Sequence, residues 1–151
     1  MKIGIKVITV LAVFSVLSVA ISVQAAGKGQ DQLLKEAKAV TKAVSIHDAK
    51  KMLDTKAKVV FLDVRVRKGF IEGHINGAIN MSRAINMSRR LMEYYMQKTV
   101  PDKNTKIVVY CDFVTRSPLA AKSLNEIGYK NALYLDDGLI TWKKAGYPVV
   151  K

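Results

Sequence analysis

A single cysteine, Cys111, is present in 151 residues, and that scarcity excludes an internal disulfide. Histidine is nearly as rare. His47 and His74 stand alone, with no cysteine and histidine cluster at zinc-like spacing, so neither a metal nor another cofactor is expected. Acidic residues number only 12 against 25 lysines and arginines, a formal charge of +13. Such an excess suits nucleic acid, an anionic membrane surface or small anionic substrates. No arginine and lysine stripe with interleaved aromatics is present, which argues against nucleic acid. A repeat array is missing too. The hexapeptide Ala78-Ile79-Asn80-Met81-Ser82-Arg83 recurs unchanged at 84–89, but two copies are too few for a solenoid, and a tandem insertion in a surface connection is the expectation.

One long apolar run is present, at the start. Lys2 and Lys6 form a positive n-region, residues 7–23 an apolar core, and Val23-Gln24-Ala25 supplies a peptidase-like ending, which predicts a signal peptide over 1–25. The polar, glycine-containing residues that follow favour cleavage over a lasting membrane anchor, and export to the periplasm or the cell exterior again disfavours nucleic acid. Removing those 25 residues from 151 leaves 126, enough for one domain with its own core, expected to be a monomer. Removing Lys2 and Lys6 from +13 leaves +11.

Residues 26–43 are polar and lysine-rich, but Leu33, Ala37 and Val40 recur at helical spacing, which predicts a leader helix packed on the domain that follows over 44–151. Ser45 and Asp48 have capping-box spacing ahead of a helix through Leu53, with His47 in its solvated first turn. Val59, Val60, Phe61 and Leu62 form a continuous apolar run ending at Asp63, as in a strand covered on both faces. Asp63, Arg65 and Arg67 therefore stand where that strand ends, the side on which open α/β sheets collect ligands. For Asp63 the expected role is to tie down loop backbone. Residues 69–77 read as a glycine-punctuated turn region, 78–81 as a short strand and 88–97 as a helix. Met81, Met87, Met92 and Met96 suit Cu(I) in principle, but methionine at this spacing is expected to fill core. Residues 132–135 read as a strand, and Asp136-Asp137-Gly138 as a turn into a last helix that buries Trp142. Alternating strands and helices predict an α/β domain built on a mainly parallel sheet flanked by helices in three layers.

The cysteine sits at a seam in this pattern. Ile107, Val108, Val109 and Tyr110 form a buried-strand run, while Ser117 as N-cap, Pro118 at the first helical position and Gly128 at the end delimit a helix. Cys111 thus lies on a strand-to-helix loop facing a helix N-terminus, with Arg116 adding a full positive charge, a setting that favours thiolate over an inert buried thiol.

Several stretches together resemble the rhodanese-like domain family. They are Phe61-Leu62-Asp63-Val64-Arg65, Gly73-His74-Ile75-Asn76-Gly77-Ala78, Tyr110-Cys111 through Arg116-Ser117, Gly128-Tyr129, Trp142, and Ala145-Gly146-Tyr147-Pro148. The resemblance implies the rhodanese-like three-layer fold and a sulfurtransferase. Its cysteine takes sulfane sulfur from thiosulfate or a similar small anionic donor as a persulfide and passes it to cyanide or a thiol. On that resemblance Cys111 is the nucleophile and Arg116 closes the loop. Asp112, Phe113, Val114, Thr115 and Ser117 line the substrate cradle, and Asp63, Arg65 and Arg67 support it, the arginines as a positive field. Counting from Cys111 to Arg116 gives the shorter, sulfurtransferase-like loop rather than the longer one of related dual-specificity phosphatases. Two departures bear on the loop. Val114 stands where many members have glycine, and a β-branched residue resists the positive φ of a curled cradle. Asp112 places a carboxylate beside the thiol, where it opposes both thiolate and an anionic donor. Three classes therefore remain at the level of sequence: an exported sulfurtransferase, which the joint presence of Cys111 and Arg116 favours, a non-catalytic binding module, and a thiol redox sensor.

Overall fold

Five short apolar runs pair into one sheet in the computed structural model, which describes residues 27–81 and 89–151. The expected signal peptide, and most of the second hexapeptide with Met87, lie outside the described residues. The strands are β1 (Lys42–Val44), β2 (Val59–Asp63), β3 (Ile79–Asn80), β4 (Lys106–Tyr110) and β5 (Ala132–Leu135). All neighbours pair in parallel in the order β1-β5-β4-β2-β3. Around the sheet run α1 (Gln30–Val40), α2 (Ile46–Asp54), α3 (Arg67–Glu72), α4 (Arg89–Thr99), α5 (Ser117–Glu126) and α6 (Gly138–Lys144).

Period-two alternation distributes the strand side chains between two cores. Leu62, Ile107, Val109, Ala132 and Tyr134 meet Met96 of α4 and Ala121 and Leu124 of α5 on one face. Phe61, Val108, Tyr110 and Leu135 meet Ile46 and Ala49 of α2 and Leu139 and Trp142 of α6 on the other. The result is the three-layer α/β arrangement expected, with Met81 and Met96 as core filling. Trp142 is fully buried, its indole N–H donating to Pro148 O at 3.1 Å.

Several local expectations need correction. The sheet begins with β1, whose Lys42 and Ala43 belong to the expected leader; three residues are too few to show a periodic signal. In α1 only Ala37 of the leader stripe is buried, while Leu33 and Val40 are exposed. Residues read as turn contain α3, which sequence masks by placing Gly69 in its middle. At α2 the capping expectation holds, with Asp48 N donating to Ser45 Oγ at 3.0 Å. His47 is exposed as expected, yet its ring nitrogen contacts the hydroxyl of Tyr147.

The chain leaves β2 toward β3 on one side of the sheet and β4 toward β5 on the other. The carboxyl ends of β2 and β4 therefore flank the point where strand order reverses, and Asp63 and Tyr110 are paired in register there.

Candidate active site at the end of the central strand

Cys111 is the first residue after β4, and its loop curls back beneath α5. Cys111 is fully buried, as an inert core thiol would be, but polar groups face its sulfur. Its Sγ lies 3.4 Å from the Ser117 hydroxyl, which is buried as well. Burial pushes the thiol pKa up. The Ser117 hydroxyl and the backbone N–H groups of Arg116, Ser117 and Phe113 outweigh it, and the net shift is downward. Two expectations change here. Ser117 is not the N-cap: Arg116 holds that position at φ −103°, without a side-chain cap, and the serine hydroxyl is turned to the sulfur instead. Arg116 acts on the thiol through its backbone N–H, while its exposed guanidinium has no hydrogen-bond or ion-pair partner among the described residues. Accordingly, Ser117→Ala should move the pH midpoint of Cys111 alkylation upward, toward that of a free thiol. Arg116→Ala, which keeps the N–H, should move it less; the reverse order in an iodoacetamide pH profile would refute this assignment.

Val114 does adopt the left-handed conformation that a β-branched residue resists, at φ 58°. Its side chain compensates by packing into the core with Leu62, Met81 and Ala121, so the curled loop forms without glycine. Phe113, Thr115 and Arg116 are exposed on the loop surface.

Asp63, Arg65 and Asp112 form one ionic group. Arg65 Nε lies 3.0 Å from both Asp63 oxygens and Nη2 2.7 Å from Asp63 Oδ2, and the Arg65 N–H donates to Asp63 Oδ1 at 2.8 Å. Nη2 also donates to Gly73 O at 2.8 Å, and Nη1 reaches Asp112 Oδ1 at 3.3 Å. Burial lowers the arginine pKa, but the hydrogen bond to Asp63 and the charges of Asp63 and Asp112 outweigh it, so Arg65 stays cationic. The expected backbone-tying role of Asp63 is therefore present. The positive field expected of Arg65 is not available to a substrate, because two carboxylates share it. Arg67, on the first turn of α3, is exposed and outside this group.

Gly138, at the start of α6, is a positioning residue that sequence reading missed. The N–H of Leu139 donates to Cys111 O at 2.9 Å and that of Ile140 approaches Asp112 O at 3.5 Å, so the first turn of α6 holds the start of the cysteine loop. Gly138 lies at φ 69°, and a Cβ there would fall 2.3 Å from Asp112 O. Only its place beside Asp137 at a helix start hinted at this in the sequence. Among the described residues no cluster of histidine, cysteine, aspartate and glutamate could hold a metal ion.

The chain is 34% identical over 88 residues to thiosulfate sulfurtransferase GlpE of Coxiella burnetii, covering 58% of this chain and 75% of that protein. It spans between 23% and 75% of the length of several curated relatives, and less than half of two of them. Its structure resembles the polysulfide-sulfur transferase of Wolinella succinogenes at a TM-score of 0.62 and 27% identity, covering 78% of this chain and 83% of that one. It also resembles a Rhodopseudomonas palustris protein of unknown function, described as a possible tyrosine phosphatase, at a TM-score of 0.69 and 25% identity, covering 84% of this chain and 98% of that one. The model for the rhodanese-like domain matches residues 45–145, which takes in the cysteine loop, the Asp63 and Arg65 turn and the α6 clamp, and the chain belongs to the rhodanese-like domain family.

Proposed function

We propose that this protein is a sulfurtransferase that carries sulfane sulfur on Cys111. The observation behind it is the set of donors around Sγ: the Ser117 hydroxyl and three loop N–H groups lower the thiol pKa despite full burial. The Cys111 thiolate attacks the outer sulfur of a donor such as thiosulfate, the S–S bond breaks, and sulfite leaves with the electron pair. The loop N–H groups then stabilise the persulfide anion as they did the thiolate. Cyanide or an acceptor thiolate attacks the terminal sulfur, leaves as thiocyanate or a new persulfide, and restores the Cys111 thiolate. No electron enters or leaves, so no redox cofactor takes part. The signal-peptide-like pattern of residues 1–25 supports export, and on this reading the chemistry takes place in the periplasm or outside the cell.

The test is intact mass after exposure to thiosulfate or inorganic polysulfide and removal of the excess. Wild type should gain one sulfur atom, lose it on adding cyanide, and form thiocyanate in equal amount; Cys111→Ser should gain none. Absence of an adduct from these donors and from an organic thiosulfonate would leave a binding module or a thiol sensor as the better account.

A further inference from the structure

We propose that Asp112 selects the donor by charge and Phe113 by its aromatic face, favouring a sulfane-sulfur donor that carries one negative charge and an organic group over a doubly charged inorganic one. This rests on the sulfurtransferase assignment and names the substrate class of the same site. Counting the ionised side chains next to the thiol gives the reason. The Asp63, Arg65 and Asp112 group holds one cation and two anions, and Arg65 is already engaged by Asp63 through two of its nitrogens. Asp112 meets only the remaining nitrogen, at 3.3 Å, and its side chain is 32% exposed. The group therefore keeps one uncompensated negative charge, and its exposed member is the residue next to the nucleophile. Arg116 is the one cation of the loop, and it balances that charge without exceeding it. Once Cys111 ionises, the loop is net negative.

The α6 side does not reverse this. Asp136 and Asp137 precede Gly138, whose backbone packs on the Asp112 carbonyl, and both are exposed. A dianion approaching such a loop is opposed about twice as strongly as a monoanion, since the interaction scales with the product of charges. The net positive charge of the chain acts at longer range and is screened by salt, so it raises encounter without changing this local preference. Phe113 adds the second half of the selection. It is 70% exposed on the same loop, beside Asp112, and offers an aromatic face to an organic substituent that an inorganic oxyanion lacks.

The step itself is unchanged by the donor. Cys111 thiolate attacks the outer sulfur of R–SO2–S− or the terminal sulfur of R–S–SH, the S–S bond breaks, and the sulfinate or thiolate leaves with the electron pair. Thiosulfate and methanethiosulfonate make a matched pair for the test, because they share the scissile S–S bond and differ by one charge. Benzenethiosulfonate adds a ring at constant charge. Cys111 persulfide formation is to be measured with all three donors in wild type, Asp112→Asn and Asp112→Ser, folded state being checked by circular dichroism. Asparagine keeps an oxygen for Arg65 and removes the charge. The gain with thiosulfate should exceed that with methanethiosulfonate on the order of tenfold in both variants. Phe113→Ala should lower the benzenethiosulfonate to methanethiosulfonate ratio several-fold. Alkylation gives a reading independent of sulfur transfer: the iodoacetate to iodoacetamide rate ratio should rise in both Asp112 variants. Adducts that form with unchanged donor ratios overturn the selection and leave the sulfurtransferase standing. Absence of an adduct from every donor overturns both.

Discussion

Gly138→Ala is expected to remove most of the reactivity of Cys111 although it touches no reacting atom. A β-carbon at this position would sit 2.3 Å from Asp112 O, 2.8 Å from Asp112 C and 3.0 Å from Cys111 O, distances at which backbone has to move. Neither partner can give easily. Cys111 and Asp112 are fixed by β4 on one side and by the Leu139 and Ile140 N–H groups on the other, and a φ of 69° is itself unfavourable for alanine. The donors that lower the thiol pKa come from Phe113, Arg116 and Ser117, a few residues along the same loop, so a displaced Cys111 loses them first. The variant should be less stable by about 2–4 kcal/mol. Its iodoacetamide rate at neutral pH should fall at least roughly tenfold, with the pH midpoint raised. Asp137→Gly is the internal contrast. It also changes the turn, but it relieves a left-handed aspartate at φ 62° and adds no atom near the loop, so stability should rise by up to about 1 kcal/mol with Cys111 reactivity retained. Equal loss of reactivity in both variants would show that the turn, and not the steric approach at Gly138, governs the thiol.

This clamp marks the boundary of what was legible in the chain. Periodicity placed β2, β4 and β5, the capping residues placed α2, and the seam at Cys111 placed the candidate nucleophile on its loop, because each of these is a local signal. The three-residue β1 and the glycine-containing α3 are local too, but too short or too weakly patterned to read. The ionic and steric partners of the loop are of another kind. Arg65 reaches Asp112 across 47 positions, and Gly138 meets Asp112 only because β5 and α6 bring it back beside β4, so no spacing rule connects them. The sequence showed that Val114 was unusual without showing its outcome, since the core that receives a left-handed valine includes Leu62 and Met81, distant in the chain.

Arg65→Met should have the largest effect on stability of any single change near the site. Asp63 is wholly buried and Arg65 is 3% exposed, so removing the guanidinium leaves a carboxylate in the interior without its cation, held only by the Arg65 backbone N–H and the Tyr110 hydroxyl. Breaking a buried pair in this way costs about 3–5 kcal/mol at neutral pH. The loss should shrink on acidification. In wild type the Arg65 pKa is raised, so the guanidinium keeps its charge from pH 7 to pH 4. In the variant, a carboxylate buried without its cation is disfavoured relative to its protonated form. A folded carboxyl that holds its proton more tightly than the unfolded one gains stability as pH falls, so the wild-type to variant difference narrows from pH 7 toward pH 4. Asp63→Asn combined with Arg65→Met should recover at least half of the single-variant loss at pH 7, because asparagine accepts the Arg65-position N–H without a stranded charge. Urea unfolding of the two variants at both pH values is the measurement. A pH-independent loss, or a double variant no better than the single, would mean that Arg65 stabilises the site through Gly73 O, with Asp63 a bystander.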